Sequence, residues 1–281
     1  PRKITTPPQL TASINDVSKP TFKDINESDW MWGILIAETD RVVTSGIVNW
    51  ISHMGSLNYG YASVGAWRRI NPSLYASIND TDVRKGWFLD ATAKSASLNA
   101  EQQDYLASAG CPAYTQVKFA PYKDEVYTST NANDVPLMRI EEMYLILAEA
   151  QAMAGDPTSG KATLENFIRT YRDPAYSTGA STAEAVQNAV WLQRRIELWG
   201  EGLSYFDLMR LRKGVDRAST AYKTLDTSMP KYNYRVADEV ADERAAIELV
   251  KNGNGGISGK DINALIFQIP NAEIESNPLI N

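Results

Sequence analysis

The residues of this chain best placed for chemistry are charges near position 200. Arg194, Arg195, Glu197 and Glu201 stand within eight residues of one another. Arg194 and Glu197 are three apart and Glu197 and Glu201 four apart, so on a helix each pair shares a face. Two carboxylates beside two arginines invite an acid–base reading. Glycoside hydrolysis needs a carboxyl pair about 5–10 Å apart across a cleft, one of them with a raised pKa. A carboxylate beside arginine has a lowered pKa and makes a poor general acid. Among 34 acidic residues no motif isolates a catalytic pair. The group therefore reads as a charged clasp that pins two helices together. Asp207 joins it or caps a helix, and no enzyme is expected.

Other reactive side chains are isolated. His53 is the one histidine and Cys111 the one cysteine. Cys111 has no thiol to pair with and no zinc partner, so it reads as a small inert core residue. Asn79, Asp80 and Asp82 form a D-x-D-like loop, but the full calcium-loop pattern is missing and a solvated turn is expected. Neither metal nor cofactor is expected. The aromatic residues say more. Seven Trp and fourteen Tyr are a high share, and they crowd into the first third of the chain. Each offers a flat apolar face and a polar edge, which matches a sugar ring. Trp50, Tyr59, Tyr61 and Trp67 flank a loop bearing glycines, with Asn58 and Arg68 placed to bond hydroxyls. Those six are the candidate ligand residues.

The elements that must carry these groups can be read from spacing. Trp30 to Ile36 and Val42 to Ile51 are short apolar runs with β-branched content and read as short strands. Residues 52–69 read as a long loop, and such loops are usually functional or disordered. Asn71-Pro72-Ser73 reads as a helix start. From Leu137 a helical period begins, with Ile140, Met143, Tyr144 and Leu147 on one face. Gly155-Asp156-Pro157 ends it. A second helix runs from Ala162 to about Tyr171, and the pair makes an antiparallel hairpin like one tetratricopeptide repeat. Ser181-Thr182-Ala183-Glu184 reads as a capping box opening a third helix. Its apolar face is Ala185, Ala189, Leu192, Ile196 and Trp199. Further on come a charged helix near Ala237–Lys251 and a turn at Asn252–Gly256.

Composition narrows the partners. A net charge of −6 without a basic stripe argues against nucleic acid. No run of about 18 apolar residues is present to span a membrane. Pro1-Arg2-Lys3 is followed by no apolar leader, so the start reads as processed or as the edge of a fragment.

Three separated blocks resemble the SusD/RagB family. Leu137 to Ala150, with Arg139 and Ala148-Glu149-Ala150, is similar to the family's Arg-Tyr-Ala-Glu helix. Arg194-Arg195-Ile196-Glu197-Leu198, then Glu201-Gly202, then Phe206-Asp207-Leu208 to Arg210 is similar to its Arg-Arg-x-Glu-Leu block. Ile269-Pro270, Glu273-Ile274 and Asn277-Pro278 are similar to its closing pattern. Trp67 to Arg84 fits the family's middle section more loosely. Departures are Gln193, where a Glu is usual, and Leu203-Ser204, where a polar pair is common.

The resemblance implies a mainly α fold of tetratricopeptide-like helical hairpins, an α-α superhelix, with a loop-rich segment carrying short strands. It divides the chain into a loop-rich middle segment, 1–136, bearing the candidate loops, and a C-terminal helical region, 137–281, both parts of one larger domain. It implies non-catalytic binding of a nutrient, a glycan above all, at the cell surface. Delivery would be to a SusC-like TonB-dependent outer-membrane transporter. Attachment would be through an N-terminal lipid anchor absent from this chain, which then corresponds to the C-terminal part of such a lipoprotein. A helical-repeat adaptor that binds another protein without a small ligand is the alternative.

Overall fold

Asp40 and Asn49 each start a short helix in a stretch rich in β-branched residues. A computed structural model describes residues 22, 24–27 and 29–211. In it strand β1, Trp30–Ile34, is followed by helices α1, Arg41–Thr44, and α2, Trp50–Met54. The Asp40 carboxylate accepts from Ala37 N–H, and Asn49 Oδ1 accepts from Ser52 N–H. Asn49 caps α2, Asp40 fixes the turn that leads into α1, and Val42 to Ile51 is not the strand its composition suggests. The loop expected over 52–69 carries the end of α2 and a 3₁₀ turn, Tyr61–Val64. Helix α3, Pro72–Ala76, starts where expected, with Asn71 as cap and Pro72 at its first position. A 3₁₀ turn at Val83–Trp87, helix α4 at Ala100–Ser108 and a 3₁₀ turn at Tyr122–Asp124 complete the loop-rich half.

The helical half opens one turn later than its period suggests. Val135–Arg139 forms β2, antiparallel to β1, with Trp30 opposite Arg139 and Ile34 opposite Val135. Pro136 fits because a two-stranded ribbon consists of edges. Pairing holds this stretch extended, so α5 spans Ile140–Met153 and does not begin at Leu137. Helix α6 runs Pro157–Tyr171, five residues earlier than expected, because Asp156 caps it and Pro157 presets its first turn. Helix α7 is Ala183–Glu197. Thr182 caps it and Ser181 does not, which puts Ala185 where the reciprocal glutamate of a capping box belongs.

The hairpin packs as a mainly helical, tetratricopeptide-like layer. Its core joins Leu145, Ala148 and Ala152 of α5 to Leu164, Phe167 and Ile168 of α6 and Val186 and Val190 of α7. Tyr144 lies flat on Phe167 at 5.1 Å. Gly160 lets α6 approach, since a Cβ there would stand 2.6 Å from the Ala148 carbonyl oxygen. On α5 the buried stripe is Glu141, Leu145, Ala148 and Ala152, spaced four, three and four. Leu147, expected inside, is half exposed because α6 and α7 both pack on the Leu145 side. Burying each leucine or phenylalanine contributes about 1.5–3 kcal/mol.

Two further cores hold the loops. One gathers Phe22, Trp30, Ile51, Phe88, Phe119 and Ile196, with Trp50 and Trp199 at its edge. The other joins Leu57, Leu89, Leu106 and Val117 beside Trp67. The chain divides into two units, Pro1–Gly202 and Leu203–Asn281. In the second, helix α8, Ser204–Leu211, is described, and there Asp207 accepts from Arg210 Nε at 2.8 Å. The expected helix near 237–251, the turn at 252–256 and the closing block 269–278 lie outside the described residues.

Candidate functional site

Two groupings of polar and aromatic side chains stand out, one sealed and one open. The sealed one forms where helix ends meet. Glu197 ends α7 and has no exposure. It accepts from Arg172 Nε at 2.8 Å, from Arg84 Nη1 at 3.2 Å and from Arg139 Nη1 at 3.2 Å. Glu201 accepts from Arg139 Nε at 2.8 Å and from Lys118 Nζ at 2.5 Å. Glu141, in the first turn of α5, pairs with Arg139 at 2.9 Å and Arg172 at 3.0 Å. Asp82 and Gln193 complete the shell of Arg84. Lys118 also donates to the carbonyls of Glu197 and Trp199, which caps the end of α7.

Charge balance explains the electrostatics. Arg84, Lys118, Arg139 and Arg172 face Asp29, Asp82, Glu141, Glu197 and Glu201, so one negative charge is in excess. Burial alone raises the Glu197 pKa, but Arg172, Arg139 and Arg84 outweigh it and hold this carboxylate far below its usual range. Glu201 is lowered likewise, burial opposing and Arg139 and Lys118 prevailing. Glu141 carries the excess: burial pushes it up to about 8, against the pull of Arg139. Burial lowers the Lys118 ammonium to about 8, with Glu201 opposing.

This arrangement is a clasp, and it corrects the partner inferred from spacing. Arg194 donates to Glu142 of α5 at 3.1 Å, while Glu197 takes its arginines from positions 84, 139 and 172. Arg195 lies over the Trp191 ring.

The open grouping is built by two loops. Leu57 C=O accepts from Tyr127 N–H at 2.7 Å, and Tyr59 N–H donates to Thr128 C=O at 2.8 Å. This two-bond clip brings Tyr59 to Tyr127, rings 5.6 Å apart and edge to face, and Tyr105 of α4 lies 5.8 Å beyond. Tyr59 and Tyr127 are 40% and 54% exposed. Tyr127 has a left-handed backbone, φ 62°, preceded by Lys123 and Asp124 at φ 54° and 61°. For a bulky residue this is a genuine outlier, of a kind that clusters at ligand clamps. Tyr127 and Tyr105 were missed in the sequence because they lie far downstream of the glycine-bearing loop.

The other candidate residues shape the loop. Tyr61 stacks on His53 at 4.0 Å. Trp50 meets Phe119 edge to face at 4.8 Å, and Trp67 leans on the Leu57 core. Asn58 is enclosed, its amide donating to Asn131 Oδ1 at 2.6 Å and to the Ile51 carbonyl. Arg68 donates to the Ala66 carbonyl at 3.3 Å.

No cation site forms from the D-x-D-like loop: Asp82 is bonded to Arg84, and Asp80 to Lys85 at 2.5 Å. Among the described residues no group of three or more His, Cys, Asp or Glu is placed to hold a metal. Burial pushes the Cys111 thiol up to about 12, so at neutral pH it is not a thiolate.

A tetratricopeptide-like layer locked by buried ions, with tyrosines on its loop side, defines a class of helical scaffold protein. The chain belongs to the SusD family, whose model matches residues 77–281. A SusD-like protein of Formosa agariphila is 28% identical over 135 residues, 43% of this chain and 27% of the relative. A SusD superfamily structure from Bacteroides thetaiotaomicron superposes with a TM-score of 0.56 at 18% identity, over 92% of this chain and 49% of the other. A SusD-like carbohydrate binding protein from Bacteroides vulgatus gives 0.51 at 23% identity, over 72% and 38%. At these identities the structural likeness concerns the fold. The chain spans about half the length of these relatives or less.

Proposed function

We propose that the protein binds a nutrient, a glycan above all, at the outer-membrane surface and passes it to a SusC-like TonB-dependent transporter without chemistry. The observation that carries this is the exposed Tyr59–Tyr127 pair on a strained loop. Aromatic faces there stack on the C–H faces of a sugar, and phenol edges bond its hydroxyls. Tyr59, Tyr105 and Tyr127 face the ligand, and Trp50, Asn58, Tyr61, Trp67 and Arg68 hold the loop. Residues 1–136 supply the contacts and the region from 137 onward supports them. Family membership supports the cell-surface role, and a lipid anchor would hold the full-length protein to the membrane. Among the described residues no helix is long and apolar enough to cross it.

Calorimetric titration with oligosaccharides and with peptides tests the reading. Saccharide binding that weakens about tenfold in Tyr59→Ala and Tyr127→Ala is expected, the scale of a lost aromatic contact. Cleavage of a bound saccharide would end the non-catalytic claim. The second reading, an adaptor that binds protein alone, is favoured by Ile146, Leu147 and Met153, exposed on α5. Binding of peptides with no saccharide response would select it.

A further inference from the structure

A separate cavity opens between the turn after α6, the loop after α3 and helix α7, with a volume of about 410 Å³. One wall is apolar: Ala189, Leu192 and Ile196, spaced three and four, fall on one face of α7. The rest of the lining is polar, with Asn79, Asp173 and Tyr176 from the loops and Asn188 and Gln193 from α7. An apolar strip beside hydrogen-bonding groups is the complement of a pyranose ring. The volume lies within the range of about 300–1,000 Å³ usual for small-ligand pockets.

We propose that this cavity is a second saccharide site, distinct from the tyrosine loops, and that it takes an uncharged sugar unit. The inference rests on the glycan-binding reading above.

The hydrogen-bonding state of the rim supports it. Asp173 is nearly sealed from solvent and accepts from Asn79 Nδ2 at 2.7 Å, Thr81 Oγ1 at 2.6 Å and Ala175 N–H at 3.0 Å. A carboxylate offers about four lone-pair sites, so it is held rigid with acceptor capacity remaining. Burial pushes the Tyr176 phenol up to about 12, so it keeps its proton, and the Gln193 side chain beside it opposes that shift. With Gln193 Oε1 taken by Arg84, the end of the amide left for the phenol is its NH2, and a phenol that accepts from an amide keeps its own proton to donate. Gln193 Oε1 in turn accepts from Arg84 at 2.6 Å, which fixes which way the amide points. The rim thus presents one oriented donor, the Tyr176 phenol, on a loop that the buried Asp173 holds rigid.

Charge sets the ligand class. Among the described residues no lysine or arginine lines the cavity. Arg84 lies behind Asp82 and Gln193, its charge met by Asp82 and Glu197. An acidic sugar would meet the carboxylates of Asp82 and Asp173, while the nearby Arg84 is already paired with Asp82 and Glu197, so uronic and sialic acids are disfavoured.

The test titrates the full chain with maltose, cellobiose and lactose, and with a glucuronic-acid disaccharide, by calorimetry and ligand-observed NMR. It is run on the wild type, on Tyr59→Ala/Tyr127→Ala, and on that double variant carrying Tyr176→Phe or Ala189→Phe. The double variant should keep weaker binding of a neutral disaccharide. Tyr176→Phe should then lower it about three- to tenfold, the loss of one hydrogen bond, and Ala189→Phe should block it. Residual binding indifferent to both changes, or none in the double variant, overturns the second site and leaves the first. Equal affinity for the acidic disaccharide overturns the assignment to uncharged sugars. Wild-type binding that survives the loop variants but falls with Tyr176→Phe overturns the loop site and keeps the cavity. A wild type that binds no saccharide overturns both.

Discussion

The clasp and the tyrosine loops put polar chemistry to opposite uses. At the clasp, charge is abundant and enclosed, and its partners come from Asp29, Arg84, Lys118, Arg139, Arg172 and Glu201 around Glu197 and Glu141. At the loops, Tyr59 and Tyr127 meet edge to face and stay open on a strained backbone. Enclosed ion pairs specify which helix ends meet, and they contribute little net stability compared with apolar packing. Open aromatics contribute little to the fold and remain available to a ligand. The most recognisable residues of the family are therefore scaffold, and the proposed ligand surface rests on residues with no signature.

Removing one member of the clasp should have the largest effect on folding. Glu197→Ala leaves Arg84, Arg139 and Arg172 short of their shared acceptor and should cost about 3–5 kcal/mol in urea unfolding, because uncompensated buried charge is costly. A loss under about 1 kcal/mol would dissolve the distinction drawn here. Gly200→Ala comes next. Gly200 sits at φ +78°, and a Cβ there would lie 2.8 Å from Phe119 and 2.9 Å from Met54. Strain and overpacking together predict a cost of about 1–3 kcal/mol, read as a lowered unfolding midpoint.

A pH profile sharpens the contrast further. Glu141 titrates at about 8 when folded, against an ordinary 4.5. Between these values the folded chain holds a proton that the unfolded chain has released. Its contribution to stability is full below 4.5 and is lost as pH rises through about 8, with a slope of at most about 1.4 kcal/mol per pH unit. Glu141→Gln should flatten that window. Above pH 8 the sign reverses, since the folded Lys118 releases its proton early and stability gains as pH rises toward 10.5. Glu197 and Glu201, both lowered, add a separate loss as pH falls below about 4.5. An unchanged slope in Glu141→Gln would reassign the shared proton.

The smallest stability change is expected at the loops. Tyr127→Gly removes the left-handed strain of about 1 kcal/mol, and the added freedom of the unfolded chain offsets it. The unfolding midpoint should barely move while saccharide affinity falls about tenfold. A large drop in stability would make Tyr127 a structural residue and erase the contrast.

The division between legible and hidden features follows from physics. The helical hairpin was legible because its apolar period is local, and its ends were displaced only where a cap or a strand partner intervened, at Asp156, Thr182 and β2. The identity of Glu197 as a clasp residue was legible from its charged neighbourhood, but its true arginines were not. They are 25, 58 and 113 residues away, and no local spacing encodes such pairings. The short helices at Arg41–Thr44 and Trp50–Met54 were hidden because an Asp40 turn and an Asn49 cap overrode β-branched composition. Tyr127 was hidden because what distinguishes it is a backbone angle and a pairing with Leu57 across the fold.

The sequence separation of those ion partners has a kinetic consequence. Each charge leaves water at a cost of several kcal/mol unless its partners are already in place. Arg84, Arg139, Arg172 and Glu197 meet only when the 3₁₀ turn at Val83–Trp87, the β ribbon and all three long helices have docked. The clasp must then close after the rate-limiting barrier to folding, as the last step of assembly. Substitutions in it should speed unfolding and leave the folding rate nearly unchanged, whereas Leu145→Ala or Phe167→Ala in the hairpin core should slow folding. A chevron for Glu197→Gln whose folding arm drops as far as its unfolding arm rises would place the ions in the nucleus instead.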